Sequence, residues 1–288
     1  MDVTEVLTFS TGTIGSLDRP VMLVSLDGWF DVASSASQAV DTFVDDEVAV
    51  TVGEIDPDPF YDFTQQRPLV SIDDDIRTIQ WPVNDFLVQR NGGEHRDVVA
   101  LVGVEPHLHW GTYVESIVTV AEALGCEAVV TVGSSAEAIP HTRRPVVTGS
   151  SANVELARSL GLSQPSYQGV TGVAGVLQAA LESAGLPAVS LRVGIPHYLM
   201  NAEHPQATAT LALHLGHVLG VPVKTDFSDQ IDSWRDIHDE IAESDDQLRM
   251  YVRMLEAEFD RRAEAAIPSA DDLAAQFEEF LDDQRDDD

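Results

Sequence analysis

The stretch "VMLVSLDGWFDVASSASQAVDTFV", residues 21–44, predicts the fold class. Its apolar first part ends at Gly28, as a short buried strand does. Apolar residues then recur at helical spacing from Asp31, the predicted N-cap, to Val44. The next apolar run, residues 47–53, predicts a second strand. Strand, helix and strand in this order indicate a parallel α/β unit.

The same alternation of strands and helices continues to about residue 225. Residues 1–19 are polar and are expected to be loosely structured. Residues 67–82 contain two β-like runs around three aspartates, and they predict a β-hairpin inserted into the α/β core. Further strands are predicted within 97–106, 126–133, 145–150 and 187–196, and further helices within 111–125, 152–161, 172–185 and 204–220. The sequence therefore predicts one α/β core domain over residues 1–225.

Beyond the core, residues 226–288 predict a helical extension. Apolar residues recur at helical spacing from Ile231 to Phe259, which indicates an amphipathic helix pair. The acidic segment 243–246 is either a turn or a polar face of this pair. Residues 269–281 predict one more helix with a serine N-cap, and the acidic C-terminal tail after it is expected to be disordered.

The composition restricts the classes of partner. The 288 residues include 49 acidic and 16 basic side chains, so the formal net charge is −33. A field of that sign repels nucleic acid and anionic membranes, and neither is an expected partner. The single cysteine, Cys126, excludes an internal disulfide and predicts a buried structural thiol. No stretch approaches the ~20 apolar residues that span a bilayer, so a cytoplasmic protein is expected.

The less common side chains of this acidic sequence follow four predicted strands. In parallel α/β sheets, ligands bind outside the carboxyl ends of the strands. The residues concerned are Trp29 after the first strand, Glu105, His107 and Trp110 after the strand within 97–106, His141, Arg143 and Arg144 after the strand within 126–133, and His197 and Tyr198 after the strand within 187–196. A cleft with these aromatic rings, a carboxylate and two guanidinium groups suits a small polar or anionic ligand.

Each of these residues also has a purely structural interpretation. Arg143 and Arg144 have many carboxylates to pair with in so acidic a chain. His141 is equally suited to capping a helix or to binding a buried carbonyl. Trp29 and Trp110 are equally well explained as core residues.

The sequence lacks the motifs of common enzyme classes. The chain has no G-x-S-x-G and no P-loop motif. The glycines of "GVTGVAG", residues 169–175, are spaced to let a helix N-terminus approach a neighbour or an anion. His107, His109, His141 and His197 loosely resemble a barrel metallohydrolase set, but too few βα units and carboxylates accompany them. His214 and His217 are better explained as packing residues, so neither a metal nor a cofactor is expected.

Four segments, taken together, resemble the proteasome assembly chaperone 2 family. They are "DGWFDVASSASQAV" at 27–40, "GVEPHLHW" at 103–110, "AIPHTRRPVVTGSS" at 138–151 and "GIPHYLMNAEHPQAT" at 194–208. The hairpin and the acidic helical tail are similar to those of the longer actinobacterial members. Two departures are visible: the loop has an additional arginine, so either Arg143 or Arg144 fills the family position, and Val170 stands where many relatives carry proline.

This resemblance implies a phosphorylase/hydrolase-like three-layer α/β sandwich with a mixed sheet, an inserted hairpin and a C-terminal helical extension. It also implies a homo-oligomer, with a trimer formed through the hairpin favoured. Together, the strand ends and the resemblance give the candidate ligand-binding residues Gly28, Trp29, Asp31, Glu105, Trp110, His141, Thr142, Arg143, Arg144, Thr171, Gly172, His197 and Tyr198.

Two functional hypotheses follow. The first is an oligomeric protein-interaction or ligand-binding protein without catalysis, as the absence of a complete nucleophile–base set favours. The second is a hydrolase-like or phosphorylase-like enzyme acting on a small anionic or nucleoside-like metabolite. In that case Glu105 or His141 would be the acid or base, Arg143 or Arg144 would hold the anion, and Trp29 or Trp110 would stack on the substrate. The sequence alone does not decide whether the chain is an enzyme.

Overall fold

A computed structural model describes residues 1–10, 12, 14–73 and 76–265. The predicted helix at 269–281 and the predicted acidic tail lie outside the described residues. No helix of the described part is long and apolar enough to cross a membrane.

The described residues form two compact units. The first unit contains residues 1–137 and 144–234 and includes the sheet. The second unit contains the loop 138–143 and the helical residues from Arg235 onward. The division into domains at residues 225 and 226 stays a prediction.

The first unit is built on an eight-stranded mixed sheet with the order β1-β3-β6-β7-β2-β8-β10-β9 and a separate hairpin of β4 and β5. The strands are β1 Leu7–Phe9, β2 Val21–Asp27, β3 Val50–Ile55, β4 Leu69–Asp73, β5 Ile76–Gln80, β6 Asn84–Gln89, β7 Val98–Val104, β8 Ala128–Glu137, β9 Val147–Ser150 and β10 Ala188–Pro196. The neighbours β7, β2, β8 and β10 are parallel to one another. The flanking strands β1, β3, β6 and β9 are joined by antiparallel pairing.

Helices cover both faces of this sheet. The α-helices of the described residues are α1 Val3–Val6, α2 Ser35–Asp41, α3 Trp110–Ala123, α4 Val154–Leu160, α5 Val173–Ser183, α6 Pro205–Leu219, α7 Ser228–Ser244 and α8 Asp246–Ala265. Helices α3 and α5 pack together over one apolar cluster, and α2 and α6 pack together over the other. Three layers around two apolar interiors confirm the predicted α/β sandwich.

The four central strands are apolar on both faces, as a sheet covered on both sides requires. Residues 21–25 of β2 are all buried. Cys126 is also buried, and burial raises the pKa of its thiol to about 12. A thiol with so high a pKa is an inert packing group, in agreement with the sequence analysis.

The expectation that residues 1–19 are loosely structured was wrong. Asp2 caps the short helix α1 through a capping box with Glu5, and β1 then pairs antiparallel with β3. Gly53 makes this pairing possible, because a Cβ on Gly53 would lie 2.6 Å from the Thr8 carbonyl oxygen. Val6 and Ile14 are buried by this arrangement. The segment was misjudged because its few apolar residues show no long periodic run.

The predicted parallel β-α-β unit at the start of the chain is confirmed in strand direction, because β3 runs parallel to β2, but the two strands are not neighbours in the sheet. Strand β3 is separated from β2 by β6 and β7, and β3 pairs antiparallel with β6. Sequence analysis had not identified β6 at all. The predicted hairpin is confirmed, since β4 and β5 form a two-stranded antiparallel sheet.

A buried hydrogen-bond network explains the polar residue at the start of β6. Asn84 is 1% exposed, and its amide nitrogen donates to the Tyr61 hydroxyl at 2.6 Å. Its amide oxygen accepts from the Tyr113 hydroxyl at 2.8 Å and from the Val104 backbone N–H at 3.1 Å. Gly103 on β7 lies directly opposite Asn84. Glycine is required there, because a Cβ on Gly103 would lie 2.1 Å from the amide oxygen of Asn84. Asn84 therefore joins β6, β7 and α3 at the carboxyl end of β7.

We expect Asn84→Leu to lower the free energy of unfolding by about 3 kcal/mol, because it removes the acceptor of the Tyr113 hydroxyl and of the Val104 backbone N–H in the interior. Urea unfolding monitored by circular dichroism measures the change. The matched control is Asn201→Leu at an exposed position, with an effect within about 0.5 kcal/mol. Equal effects of the two substitutions would contradict this role for Asn84.

Candidate functional site

Four parallel strands bring their carboxyl ends to one edge of the sheet. Strands β7, β2, β8 and β10 are neighbours and run in the same direction, as the sequence analysis required. Their ends are followed by residues 105, 28, 138 and 197 respectively. The predicted site residues of the first unit therefore begin at a shared edge, where ligands bind in folds of this type.

A half-buried carboxylate, that of Glu105, organises this edge. Its Oε2 accepts a hydrogen bond from the Trp29 backbone N–H at 2.9 Å. Gly28 is tightly confined beside it, because a Cβ on Gly28 would lie 2.7 Å from the Glu105 Cβ and 2.9 Å from its Oε2. The Trp29 side chain itself remains 79% exposed. Glu105 thus fixes the backbone that presents an exposed indole.

The first turn of α5 lies against the same carboxylate. A Cβ on Gly172 would lie 3.5 Å from the Glu105 Oε1 and 3.9 Å from the Trp29 ring. Gly172 is the N-cap of α5 and has no side chain to accept from the exposed N–H groups of the helix. A carboxylate is stabilised at this partially positive end. The N-cap residue of α5 therefore lies within van der Waals distance of a carboxylate of the protein itself, although these distances do not require glycine at position 172.

Thr171 is accommodated by the third glycine of the segment 169–175, Gly175. A Cβ on Gly175 would lie 1.9 Å from the Thr171 hydroxyl oxygen. This local packing explains the glycine at position 175. Thr171 itself is exposed.

Asp31 caps helix α2, as predicted, but the helix begins later in the chain than the sequence predicted. Helix α2 begins at Ser35, after a 3-10 turn whose Ala33 and Ser34 have φ of 60° and 50°. Across this turn the Asp31 carboxylate accepts from the Ala36 N–H at 2.7 Å and from the Ser37 N–H at 3.3 Å. Burial raises the pKa of Asp31, and these hydrogen bonds oppose the rise. Asp31 is a helix cap that is 5% exposed.

Three other predicted residues make local contacts. Trp110, at the start of α3, donates its indole N–H to the Pro106 carbonyl oxygen at 2.7 Å. The His197 ring nitrogen Nδ1 lies 3.1 Å from the Glu137 carbonyl oxygen. The rings of His197 and Tyr198 form an edge-to-face pair with centroids 5.5 Å apart. These contacts hold the ends of β7, β8 and β10.

The loop 138–143 belongs to the second unit, where acidic side chains of α7 and α8 hold it. The Arg143 guanidinium binds both carboxylate oxygens of Asp260 at 2.9 and 2.8 Å. It also contacts Glu256 at 3.0 Å, and Glu256 accepts from the Thr142 hydroxyl at 2.5 Å. Asp260 raises the pKa of Arg143 above its usual range. The structural interpretation of Arg143 as an ion-pair partner agrees with this geometry.

His141 and Arg144 differ sharply in exposure. His141 is 2% exposed, and its Nε2 lies 3.2 Å from the Asp239 carboxylate. Its ring centroid is 6.4 Å from that of His238. Arg144 is exposed, and it forms no ion pair with any other residue of the described ranges.

The structure therefore collects the predicted residues in two places. Gly28, Trp29, Glu105 and Gly172 meet at the sheet edge of the first unit, and we name these four residues the Trp29 platform. His141, Thr142 and Arg143 meet the acidic helices of the second unit. No group of three or more His, Cys, Asp or Glu side chains within the described residues could hold a metal ion.

The family model described as "PAC2 family" matches residues 25–243. The chain belongs to the PAC2 family. The match spans every motif on which the resemblance to proteasome assembly chaperones was based.

Solved structures of three other proteins are similar to this chain. A PAC2 family protein from Streptomyces avermitilis is 35% identical, with 81% of this chain and 99% of that chain covered and a TM-score of 0.75. A proteasome-assembly chaperone homologue from Mycobacterium tuberculosis is 35% identical with the same coverage and a TM-score of 0.72. An archaeal proteasome activator from Pyrococcus furiosus, 15% identical over 83% of this chain and 98% of that chain with a TM-score of 0.62, shares the fold. The comparison with curated proteins gave no match.

Sequence analysis missed several residues that shape the PAC2 site. Asn84, Tyr61 and Tyr113 support the end of β7, directly before Glu105. Asp260 and Glu256 hold Arg143 from positions more than 100 residues later in the chain. The only sequence signal for Glu256 and Asp260 was the helical spacing of acidic residues. This signal does not single them out, because acidic residues occur throughout the chain.

The pH dependence of stability tests the environment of His141. Burial lowers the pKa of His141 below its ordinary value of 6.5, although Asp239 opposes this shift. The folded protein therefore binds fewer protons there than the unfolded chain. The free energy contributed by His141 is present above pH 6.5 and is lost as the pH falls toward the lowered pKa.

We expect His141→Gln to flatten the decrease in unfolding free energy below pH 6.5. Chemical unfolding at a series of pH values from neutral to mildly acidic measures the slope. The control is His217→Gln at an exposed position of α6, which should retain the wild-type slope. An unchanged slope in His141→Gln would show that His141 is not desolvated.

Proposed function

We propose that this PAC2 chain is a non-catalytic, oligomeric protein-interaction protein that binds proteasome subunits during their assembly. Its relative from Mycobacterium tuberculosis is described as a proteasome-assembly chaperone homologue, and that protein is 35% identical to this chain. Transfer of the role to this chain is part of the proposal.

The observation that carries the proposal is the exposure of Trp29 on a fixed backbone. The indole is 79% exposed, while the backbone N–H of the same residue is bound by Glu105. Two further exposed side chains, Tyr167 at 75% and Val170 at 94%, precede α5 on the loop that leads to Gly172. Tryptophan and tyrosine are enriched where a few residues carry most of an interface's binding energy. The Trp29 platform has the composition of such an anchor.

The alternative, an enzyme acting on a small anionic or nucleoside-like metabolite, has weaker support. The N-terminal end of α5 faces Glu105, and a second anion there would meet like-charge repulsion. The guanidinium of Arg143 is engaged by Asp260 and Glu256. An exposed ring beside a carboxylate still suits a hydroxyl-rich nucleoside-like ligand, with Trp29 stacking on the base and Glu105 accepting from the sugar. The remaining candidate, Arg144, would then be free to contact an anionic group.

Oligomerisation through the β4–β5 hairpin is part of the proposal. The hairpin carries five exposed aliphatic side chains, Leu69, Val70, Ile72, Ile76 and Ile79. A two-stranded sheet with apolar residues on its surface is marginal in water unless something packs on it. A trimer in which the hairpins of three copies cover one another would bury these side chains.

The proposed partners and location follow from charge and redox chemistry. A net charge of −33 disfavours nucleic acid and anionic membranes as partners. The single cysteine supports a cytoplasmic location, since the chain cannot form an internal disulfide.

We expect Trp29→Ala to weaken the capture of proteasome α- or β-subunits at least tenfold, as the loss of an interface anchor does. Purified wild-type and variant proteins would be mixed with separately purified proteasome subunits of the same organism. Native mass spectrometry would give the affinity and the number of copies in each complex. The control is Leu213→Ala, which removes an exposed side chain from α6 and should retain full capture.

Undiminished capture by Trp29→Ala would overturn the role of the Trp29 platform. An absence of capture by the wild-type protein, combined with stabilisation by a nucleoside or phosphate in a thermal-shift assay, would favour the enzyme alternative.

A further inference from the structure

A second surface of the first unit has the features of a binding site and lies outside the Trp29 platform. It is a cavity of about 530 Å³ between the end of β3 and the end of the hairpin. Its chemistry comes from three carboxylates, Glu54, Asp56 and Asp58, and two aromatic rings, Phe63 and Trp81. We name these five residues the acidic aromatic pocket. Its volume falls within the range of cavities that hold small ligands, about 300–1,000 Å³.

The aromatic rings are held in a defined arrangement. Phe63 and Trp81 form an edge-to-face pair with centroids 4.9 Å apart and an interplanar angle of 66°. Trp81 is nevertheless 48% exposed, so this contact leaves much of its surface accessible. An exposed indole face attracts cations through the quadrupole of the ring.

The negative charge of this pocket is not balanced by the protein. Among the described residues, Glu54, Asp56, Asp58 and the neighbouring Asp85 form no ion pair with a basic side chain. Glu54 and Asp85 lie directly opposite each other on β3 and β6, although like charges at such positions are unfavourable. The Asp85 Oδ1 is buried and has no hydrogen-bond partner among the described residues. Burial and Glu54 together raise the pKa of Asp85.

These observations favour an organic cation over a metal ion. The carboxylates do not converge on a single point, since the described residues contain no group of three or more acidic, histidine or cysteine side chains that could hold a metal. A planar guanidinium fits the arrangement better, because it stacks on an aromatic face and donates in its plane to carboxylates on either side. An anion would be repelled by every charged group of the pocket.

We propose that the acidic aromatic pocket binds a guanidinium group, with Trp81 stacking on its face and Glu54 and Asp58 accepting its N–H groups. The guanidinium belongs either to an arginine side chain of a peptide or to a free guanidino compound. This site is separate from the Trp29 platform and does not depend on the function proposed for that platform.

The test is a calorimetric titration of the purified full-length protein at physiological salt. The probes are agmatine, the tripeptide acetyl-Gly-Arg-Gly-amide and its citrulline counterpart, which has the same shape without the charge. Binding of agmatine or the arginine peptide, with no binding of the citrulline peptide, is the expected result. Tighter binding of the peptide identifies a protein side chain as the source, and tighter binding of agmatine identifies a free compound.

Variants locate the binding. We expect Trp81→Leu and Glu54→Gln each to weaken binding about tenfold. The matched controls are Leu213→Ala and Glu182→Gln, which remove an exposed apolar side chain and an exposed carboxylate elsewhere and should leave the affinity unchanged. Circular dichroism verifies that each variant is folded.

Three results would overturn the proposal. They are no binding of either charged probe up to about 10 mM, equal binding of the citrulline peptide, and an equal loss of affinity in Glu182→Gln, which would indicate nonspecific attraction to an acidic surface. Displacement of agmatine by equimolar Mg²⁺ or Ca²⁺ would likewise overturn it in favour of a metal site.

Discussion

The arrangement of the sheet edge depends on one carboxylate, that of Glu105. It binds the Trp29 backbone N–H, lies beside the N-cap residue of α5, and requires glycine at position 28. A side chain at position 28 would displace the carboxylate or the strand end that carries it. The buried network around Asn84 fixes the end of β7 directly before Glu105. The same contacts that hold the edge together leave the Trp29 indole exposed, which connects the packing of the fold to its proposed use as a binding surface.

Two of the basic side chains of this acidic chain, Arg96 and Arg143, form ion pairs that join segments distant in sequence. Arg143 joins its loop to two acidic residues of α8, and Arg96 binds Glu127 at 3.0 Å within the sheet unit. Exposed ion pairs of this kind contribute only about 0–1 kcal/mol each, so they determine which segments meet more than how stable the fold is. The carboxylates of the acidic aromatic pocket have no such basic partner among the described residues. Binding of a cationic ligand is therefore most favourable at carboxylates of this kind.

Long periodic elements could be predicted from the sequence, whereas elements defined by distant partners could not. Residues 21–26 and 204–220 bury continuous apolar faces, and both were identified in the right place. Strand β6 begins with a buried asparagine that is explained only by two tyrosines from other elements. The four strand ends were predicted to share an edge, and the topology confirms it. The engagement of Arg143 by α8 could not be predicted, because a pairing across more than 100 residues leaves no local periodicity.

The central claim is that the Glu105 carboxylate holds the sheet edge together. The direction in which Glu105→Gln changes the free energy of unfolding tests this claim most directly. A carboxylate that holds the Trp29 backbone and the end of α5 stabilises the fold, so its neutralisation should lower the free energy of unfolding by about 1 kcal/mol. Glu182→Gln, on the exposed face of α5, provides the reference for loss of one negative charge. A catalytic acid or base is commonly held at a cost to stability, and its neutralisation raises stability. Urea unfolding in which Glu105→Gln is more stable than the wild type would therefore contradict the structural role and favour an active site.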